Sequence, residues 1–221
     1  MSGEPYVTAD TLDDRASAWI EDLSPYMRHP GVGDLEGAAL LVVDMQGYFL
    51  KPESHAFIPA ALPIVSRLDS LARSFRSAGR PVYFTRHAHR PGDRCRAMSA
   101  WWNDLIKEGD PLALLDPRIE VGPLDLVLTK QTYSAFDGTA LTTLLEERGC
   151  DTLVIGGVMT HLCVSTSARE AFIRDLHVEV LLDATAAPDE ALHLSALRTL
   201  AHGVARVVTT ADVARSLPSG G

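Results

Sequence analysis

Three side chains of unlike chemistry occupy matching places in this chain. Asp44 closes the apolar run 38–43, Lys130 closes the run 124–129, and Cys163 follows the apolar stretch 153–155 where a helical pattern opens (Val164, Ala168, Ala171, Phe172). A thiol at the start of a helix meets unpaired N–H groups and the positive end of the helix dipole, which is expected to favour its thiolate. A carboxylate beside it can take the thiol proton, and an ammonium can keep that carboxylate ionised and oriented. Attack on a carbonyl would create an oxyanion, which backbone N–H groups of the turn 157–163 can meet. Asp44 could then return the proton to a leaving amine and activate water against the resulting thioester.

Such convergence requires an architecture that lays strand ends side by side, as an open parallel sheet does. The chain alternates accordingly. Strands are expected at 38–44, 82–85, 124–129, 151–156, 177–182 and 204–208. Helices are expected from about 60 to 79 (Ile64, Leu68, Leu71 and Phe75 inward), then at 138–148, 163–175 and 188–202, several ending at glycine. We expect an α/β fold: a Rossmann-like open parallel sheet of about six strands in order 3-2-1-4-5-6, with helices on both faces. Residues 1–37 read as an N-terminal helical arm, with a helix at 9–23 capped by Thr8 or Asp10. They precede a catalytic domain at 38–221. The arm carries Leu12, Ala16, Trp19, Ile20 and Leu23 on one face, which must cap the chain's own sheet or that of a neighbour, and a homodimer or homotetramer is expected.

Composition narrows the function classes. A net charge of −9 repels phosphate backbones, which argues against nucleic acid as a partner. No apolar run reaches the roughly 20 residues that span a bilayer, and the first residues lack the pattern of a signal peptide, so a cytoplasmic protein without a membrane partner is expected. The cysteines Cys95, Cys150 and Cys163 suit neither a disulfide framework nor structural zinc. Cys150, beside Gly149 at a helix end, reads as a small buried hydrophobe.

The runs Leu41-Val42-Val43-Asp44-Met45-Gln46, Lys130-Gln131-Thr132-Tyr133-Ser134-Ala135-Phe136 and Gly157-Val158-Met159-Thr160-His161-Leu162-Cys163-Val164 resemble the three signature segments of the isochorismatase-like cysteine hydrolases. Nicotinamidase, N-carbamoylsarcosine amidohydrolase and ureidoacrylate amidohydrolase belong to that family. The likeness extends from about residue 38 to about 210 and implies an Asp44, Lys130, Cys163 triad. It further implies a non-proline cis peptide between Val158 and Met159, with the N–H groups of Met159 and Cys163 as an oxyanion hole.

Isochorismatases proper, which cleave a vinyl ether, typically carry glycine where Cys163 stands. The resemblance therefore implies a cysteine hydrolase that cleaves the C–N bond of a small amide or carbamoyl compound through a thioester, releasing ammonia. Vinyl-ether hydrolysis and a non-catalytic ligand-binding or interaction protein on the same fold are the alternatives.

Nicotinamidases hold a metal through an Asp-x-His pair and further histidines, whereas this chain has His87-Ala88-His89 and no later histidine in that loop. We assign no metal and no cofactor, and read His87 and His89 as candidates for the substrate pocket. Gln46, Phe49, Trp101, Tyr133, Phe136 and His161 are further candidates; of the adjacent Trp101 and Trp102, only one can face inward fully. His161, two residues before the nucleophile, reads as a residue that packs or hydrogen-bonds rather than a second base. The irregular segment 86–122 carries Arg86, Arg90, Arg94 and Arg96, read as a solvated cluster or a site for a substrate carboxylate.

Overall fold

Strands β1 (Ala38–Val43), β2 (Val82–His87), β3 (Leu126–Lys130), β4 (Thr152–Val158), β5 (His177–Ala186) and β6 (Arg206–Val208) form one sheet in the order β3-β2-β1-β4-β5-β6. The computed structural model describes residues 4–90, 92–93 and 96–218. Every strand pairing is parallel, so all six strands deliver their C-termini to one edge. β1 is buried along its whole length, as its unbroken Ala/Leu/Val run requires of a strand covered on both faces.

The helices are α1 (Leu12–Leu23), α2 (Gly47–Leu50), α3 (Ile64–Ser77), α4 (Arg96–Trp102), α5 (Leu141–Glu147), α6 (Ser165–Ile173), α7 (Glu190–Gly203) and α8 (Thr210–Ser216). α3 packs with α8, while α6 packs with α7. Because the β1-to-β2 and β4-to-β6 crossovers run in opposite directions across the sheet, right-handed connections put these two helix pairs on opposite faces.

The arm is covered by its own chain. α1 lies against α7 and β5 and buries Leu12, Ala16, Trp19 and Leu23. Asp13 adds an ion pair to Arg67 at 2.5 Å, and Arg67 in turn holds Asp183 at 2.6 Å. Neither Thr8 nor Asp10 caps α1: its N-cap is Thr11, whose hydroxyl instead accepts from the Thr8 N–H.

Several boundaries differ from the sequence-based expectation, three of them with consequences for the site or its frame. β3 begins at Leu126, because the Asp125 carboxylate turns back to the Gly122 N–H and pairs with Arg76. β5 continues to Ala186, beyond an irregularity in its pairing with β4. Most consequential for the chemistry, α6 starts at Ser165, and a π-helical turn, Thr160–Val164, stands before it.

One glycine sets the spacing between β4 and β1. Gly157 has φ +113°, and a Cβ there would lie 2.1 Å from the Val43 carbonyl oxygen. Only glycine allows so close an approach. It brings the end of β4, and the turn that follows, against the end of β1.

Candidate active site

Asp44, Lys130 and Cys163 meet at the C-terminal edge of the sheet. The Lys130 ammonium has three N–H donors and three partners: Asp44 Oδ2 at 2.7 Å, the Thr132 carbonyl at 2.9 Å and Cys163 Sγ at 3.3 Å. Both charged side chains are fully buried, and the thiol is 3% exposed. Asp44 takes φ +51°, in the left-handed region that non-glycine residues rarely adopt, where the chain turns off β1. Its Oδ1 accepts a 2.7 Å hydrogen bond from the Thr85 hydroxyl, and its backbone N–H donates to Thr85 as well. Oδ2 lies against the ammonium, and the Cys163 thiol hydrogen-bonds the same carboxylate.

The chain as a whole has known relatives. The family model described as "Isochorismatase domain" matches residues 38–212. The chain belongs to the isochorismatase family. Within it, Nicotinamidase 3 of Arabidopsis thaliana is 39% identical over 184 residues, which cover 81% of this chain and 88% of that protein. Enterobactin synthase component B of Escherichia coli is 32% identical over 178 residues, 80% of this chain, and the match spans only 62% of that protein. Among solved structures, a cysteine hydrolase from Pseudomonas syringae superposes with a TM-score of 0.79 at 29% identity, covering 86% of this chain and 98% of that one.

This isochorismatase-family hydrolase departs from the sequence-based expectation in the state of its thiol. Burial pushes Cys163 up to about 12; the Lys130 ammonium opposes this only in part, and Asp44 adds to it. The helix dipole does not win, because Cys163 sits inside the π turn, ahead of the first turn of α6, and is closed off from water. At rest the site therefore holds a neutral thiol beside an ion pair. Lys130 itself is pushed down by burial but raised further by Asp44 and Cys163, so it stays charged.

His87 and His89 line the same end of the sheet and are buried, with their Nε2 atoms 2.9 Å apart. Burial, helped by the Lys130 charge, lowers His87 to about 4, and burial lowers His89 too, so both rings are neutral at pH 7. The Thr132 carbonyl that receives Lys130 also hydrogen-bonds His87. A metal would need more donors than this pair: among the described residues no three His, Cys, Asp or Glu side chains are gathered as a cation site. The two rings by themselves therefore do not make a cation site.

The other expected pocket residues divide. Gln46 is buried at the margin of the site, where its amide joins strand ends and loop: Nε2 donates to the carbonyls of His87 and Ala113, and Oε1 accepts from the His87 N–H at 2.6 Å. Phe49 lies in the core, edge-on to Tyr48, and Phe136 is buried with the Arg174 guanidinium 4.7 Å over its ring. Trp101 is 78% exposed and forms no pocket wall. Its neighbour Trp102 donates its indole N–H to the half-buried Tyr133 hydroxyl at 2.8 Å, and one helical step then turns Trp101 to solvent. His161 lies in the π turn, lowered by burial, with Nδ1 buried and unpartnered. Glu108 pairs with both Arg86 and Arg90, which leaves little free charge for a carboxylate there; Arg94 and the side chain of Arg96 lie outside the described residues.

Thr85 and the Thr132 carbonyl escaped the reading of the sequence. A threonine near the end of a strand reads as ordinary β-propensity. The signal lay in the register: Val42 pairs with Phe84, which brings the residue after Phe84 to the turn that carries Asp44.

Proposed function

We propose that this hydrolase cleaves the C–N bond of a small amide or carbamoyl compound, with Cys163 as nucleophile. The observation that carries the reading is one ammonium, Lys130, within 2.7 Å of a carboxylate and 3.3 Å of a thiol. As Sγ bonds to the substrate carbonyl carbon, the thiol proton passes to Asp44 Oδ2, and the carbonyl oxygen becomes an oxyanion met by the N–H groups of Met159 and Cys163. Asp44 then gives that proton to the departing nitrogen, the C–N bond breaks, and ammonia leaves a thioester. Water adds to the thioester carbon while its proton goes to Asp44. The carboxylic acid departs, and the proton returns to sulfur.

A neutral resting thiol suits this sequence, since the proton moves only when a carbonyl is present to accept the electron pair. The similarity to Nicotinamidase 3 makes nicotinamide the first substrate to test. Residues Tyr133 and Trp102, joined by their hydrogen bond, offer an aromatic wall beside Thr132 for such a ring. We place the protein in the cytoplasm, and we propose a homodimer or homotetramer. What supports the oligomer is the apolar edge at β3, where Leu124, Leu126 and Val127 are exposed; a concentration-independent monomer in light scattering rejects it.

Ammonia release from a panel of primary amides and carbamoyl compounds, nicotinamide first, tests the activity. Cys163→Ala is expected to abolish turnover with the fold intact. Turnover of a vinyl ether that survives this substitution would move the chain to the isochorismatase chemistry, and absence of any turnover with an unreactive Cys163 would make it a binding protein.

A further inference from the structure

The N-terminal arm lies outside the segment matched by the family model, yet it reaches the nucleophile turn through one buried side chain. His193 on α7 is fully buried, and its Nδ1 stands 3.0 Å from the Thr160 hydroxyl. Thr160, itself fully buried, opens the π turn between Met159 and Cys163, and its carbonyl accepts the Ser165 N–H where the turn passes into α6. The imidazole is covered from the arm: the Trp19 ring lies 4.8 Å from it and the Tyr6 ring 5.9 Å. Both aromatic residues are themselves tied down. The Trp19 indole N–H donates to Glu190 Oε1 at 2.7 Å, Arg15 pairs with the same carboxylate at 3.3 Å, and the Tyr6 hydroxyl accepts from the Ala187 N–H.

A buried imidazole under an aromatic lid, set between the Thr160 hydroxyl and the Leu182 backbone, is a costly way to fill space, since an apolar residue would fill it with no polar atom to satisfy. The ring ties β5, through the Leu182 backbone, to the Thr160 hydroxyl, and so fixes the first residue of the turn that carries Cys163 and the backbone N–H groups flanking it. We infer that His193 is a positioning residue for acyl transfer at Cys163, held in place by Tyr6 and Trp19, so that the arm is a working part of the catalytic unit. Burial keeps the imidazole neutral at pH 7, lowering it to about 3 although the Leu182 backbone hydrogen bond raises it.

This inference rests on the proposed role of Cys163, and two reactions of that thiol separate the claims. Acylation by p-nitrophenyl acetate passes through a tetrahedral oxyanion and releases p-nitrophenolate. Alkylation by iodoacetamide displaces iodide and forms no oxyanion. His193→Phe keeps an aromatic ring under Trp19 but removes the hydrogen bond. It is expected to slow acylation by about 10- to 100-fold while leaving the alkylation rate of Cys163 unchanged. Thr160→Val, which removes the other partner of the bond, is expected to behave alike and carries the test should His193→Phe fail to fold. His193→Gln, which can hydrogen-bond the hydroxyl without titrating, is expected to recover most of the acylation rate. Trp19→Ala, which uncovers the ring and leaves both bonded groups in place, is expected to slow acylation as well.

Acylation at the wild-type rate in His193→Phe and Thr160→Val, or an equal loss in both reactions, would overturn the positioning role. Wild-type acylation in Trp19→Ala would remove the arm from it. A wild-type enzyme in which neither reagent reacts at Cys163 would refute the nucleophile itself, a result distinct from any loss confined to the His193 variants.

Discussion

Replacing Lys130 by methionine removes the only cation within ion-pair distance of Asp44 among the described residues, while filling nearly the same volume. At 2.7 Å and an effective dielectric constant of about 20, the attraction between the two charges is about 6 kcal/mol. That attraction offsets the cost of burying both ions, which is several kcal/mol each. Without the ammonium, Asp44 remains buried with only two neutral side-chain partners, the Thr85 hydroxyl and the Cys163 thiol, and the Thr132 carbonyl loses a donor. Breaking a buried pair in this one-sided way costs about 3–5 kcal/mol. In a chain of this length that corresponds to a fall of about 6–20 °C in melting temperature. The assay is urea and thermal denaturation of Lys130→Met, Asp44→Asn and the double variant. The double variant is expected to lose less than the sum of the singles, because it leaves no unpaired charge. A single-variant loss below about 1 kcal/mol, or strict additivity, would refute the buried ion pair and the orientation of Asp44 that depends on it.

Thr85→Val removes the hydroxyl from Asp44 Oδ1 at constant shape; a loss of about 1.5–3 kcal/mol in urea denaturation and a lower rate of ammonia release are expected, and wild-type values in both would refute its orienting role. Glu179, 1% exposed on β5, is raised by burial to about 7 despite the Gly33 N–H and Arg206. The folded protein therefore holds a proton that the unfolded chain has released, and stability falls as pH rises from about 4.5 to 7 and stays lower above. Glu179→Gln is expected to stabilise the protein by up to about 3 kcal/mol near pH 8 with little change near pH 4, and the reverse ordering in urea denaturation would count against it. Iodoacetamide alkylation of Cys163 is expected to keep rising with pH through the alkaline range; a plateau below about pH 8 would identify a preformed thiolate and refute a thiol governed by burial.

How far the molecule was legible without coordinates depended on the range of the interactions involved. Strand order and the meeting of Asp44, Lys130 and Cys163 follow from apolar runs that end in reactive residues, a local pattern joined to a topological rule. The thiol's ionisation did not follow, because it depends on how much water the folded chain excludes, and the π turn that moves Cys163 off the helix start has no periodicity to betray it. Trp101 and Trp102 show the same limit: spacing says that one must turn outward, while the Tyr133 hydroxyl, thirty-one residues along the chain, decides which. His193 lay beyond reach altogether, since nothing in α7 marks one of its buried positions as the partner of a turn on another element.

Burial that raises the thiol and burial that strengthens the ion pair are the same physical fact acting on two groups. A wetter site would lower Cys163 toward its ordinary value but would also screen Lys130 from Asp44, and the base would lose its orientation. In the proposed reaction the proton stays on sulfur until a carbonyl carbon is within bonding distance, and it then passes to Asp44 Oδ2, on a carboxylate that Thr85 holds through Oδ1 and Lys130 through Oδ2. On the proposed mechanism, dryness thus postpones ionisation of Cys163 to the moment of attack, when the backbone N–H groups of its turn receive the charge that the sulfur gives up. The exactness of that turn matters more here than in a site with a standing thiolate, which is why a buried histidine and an N-terminal arm are a reasonable investment for the fold to make in one threonine hydroxyl.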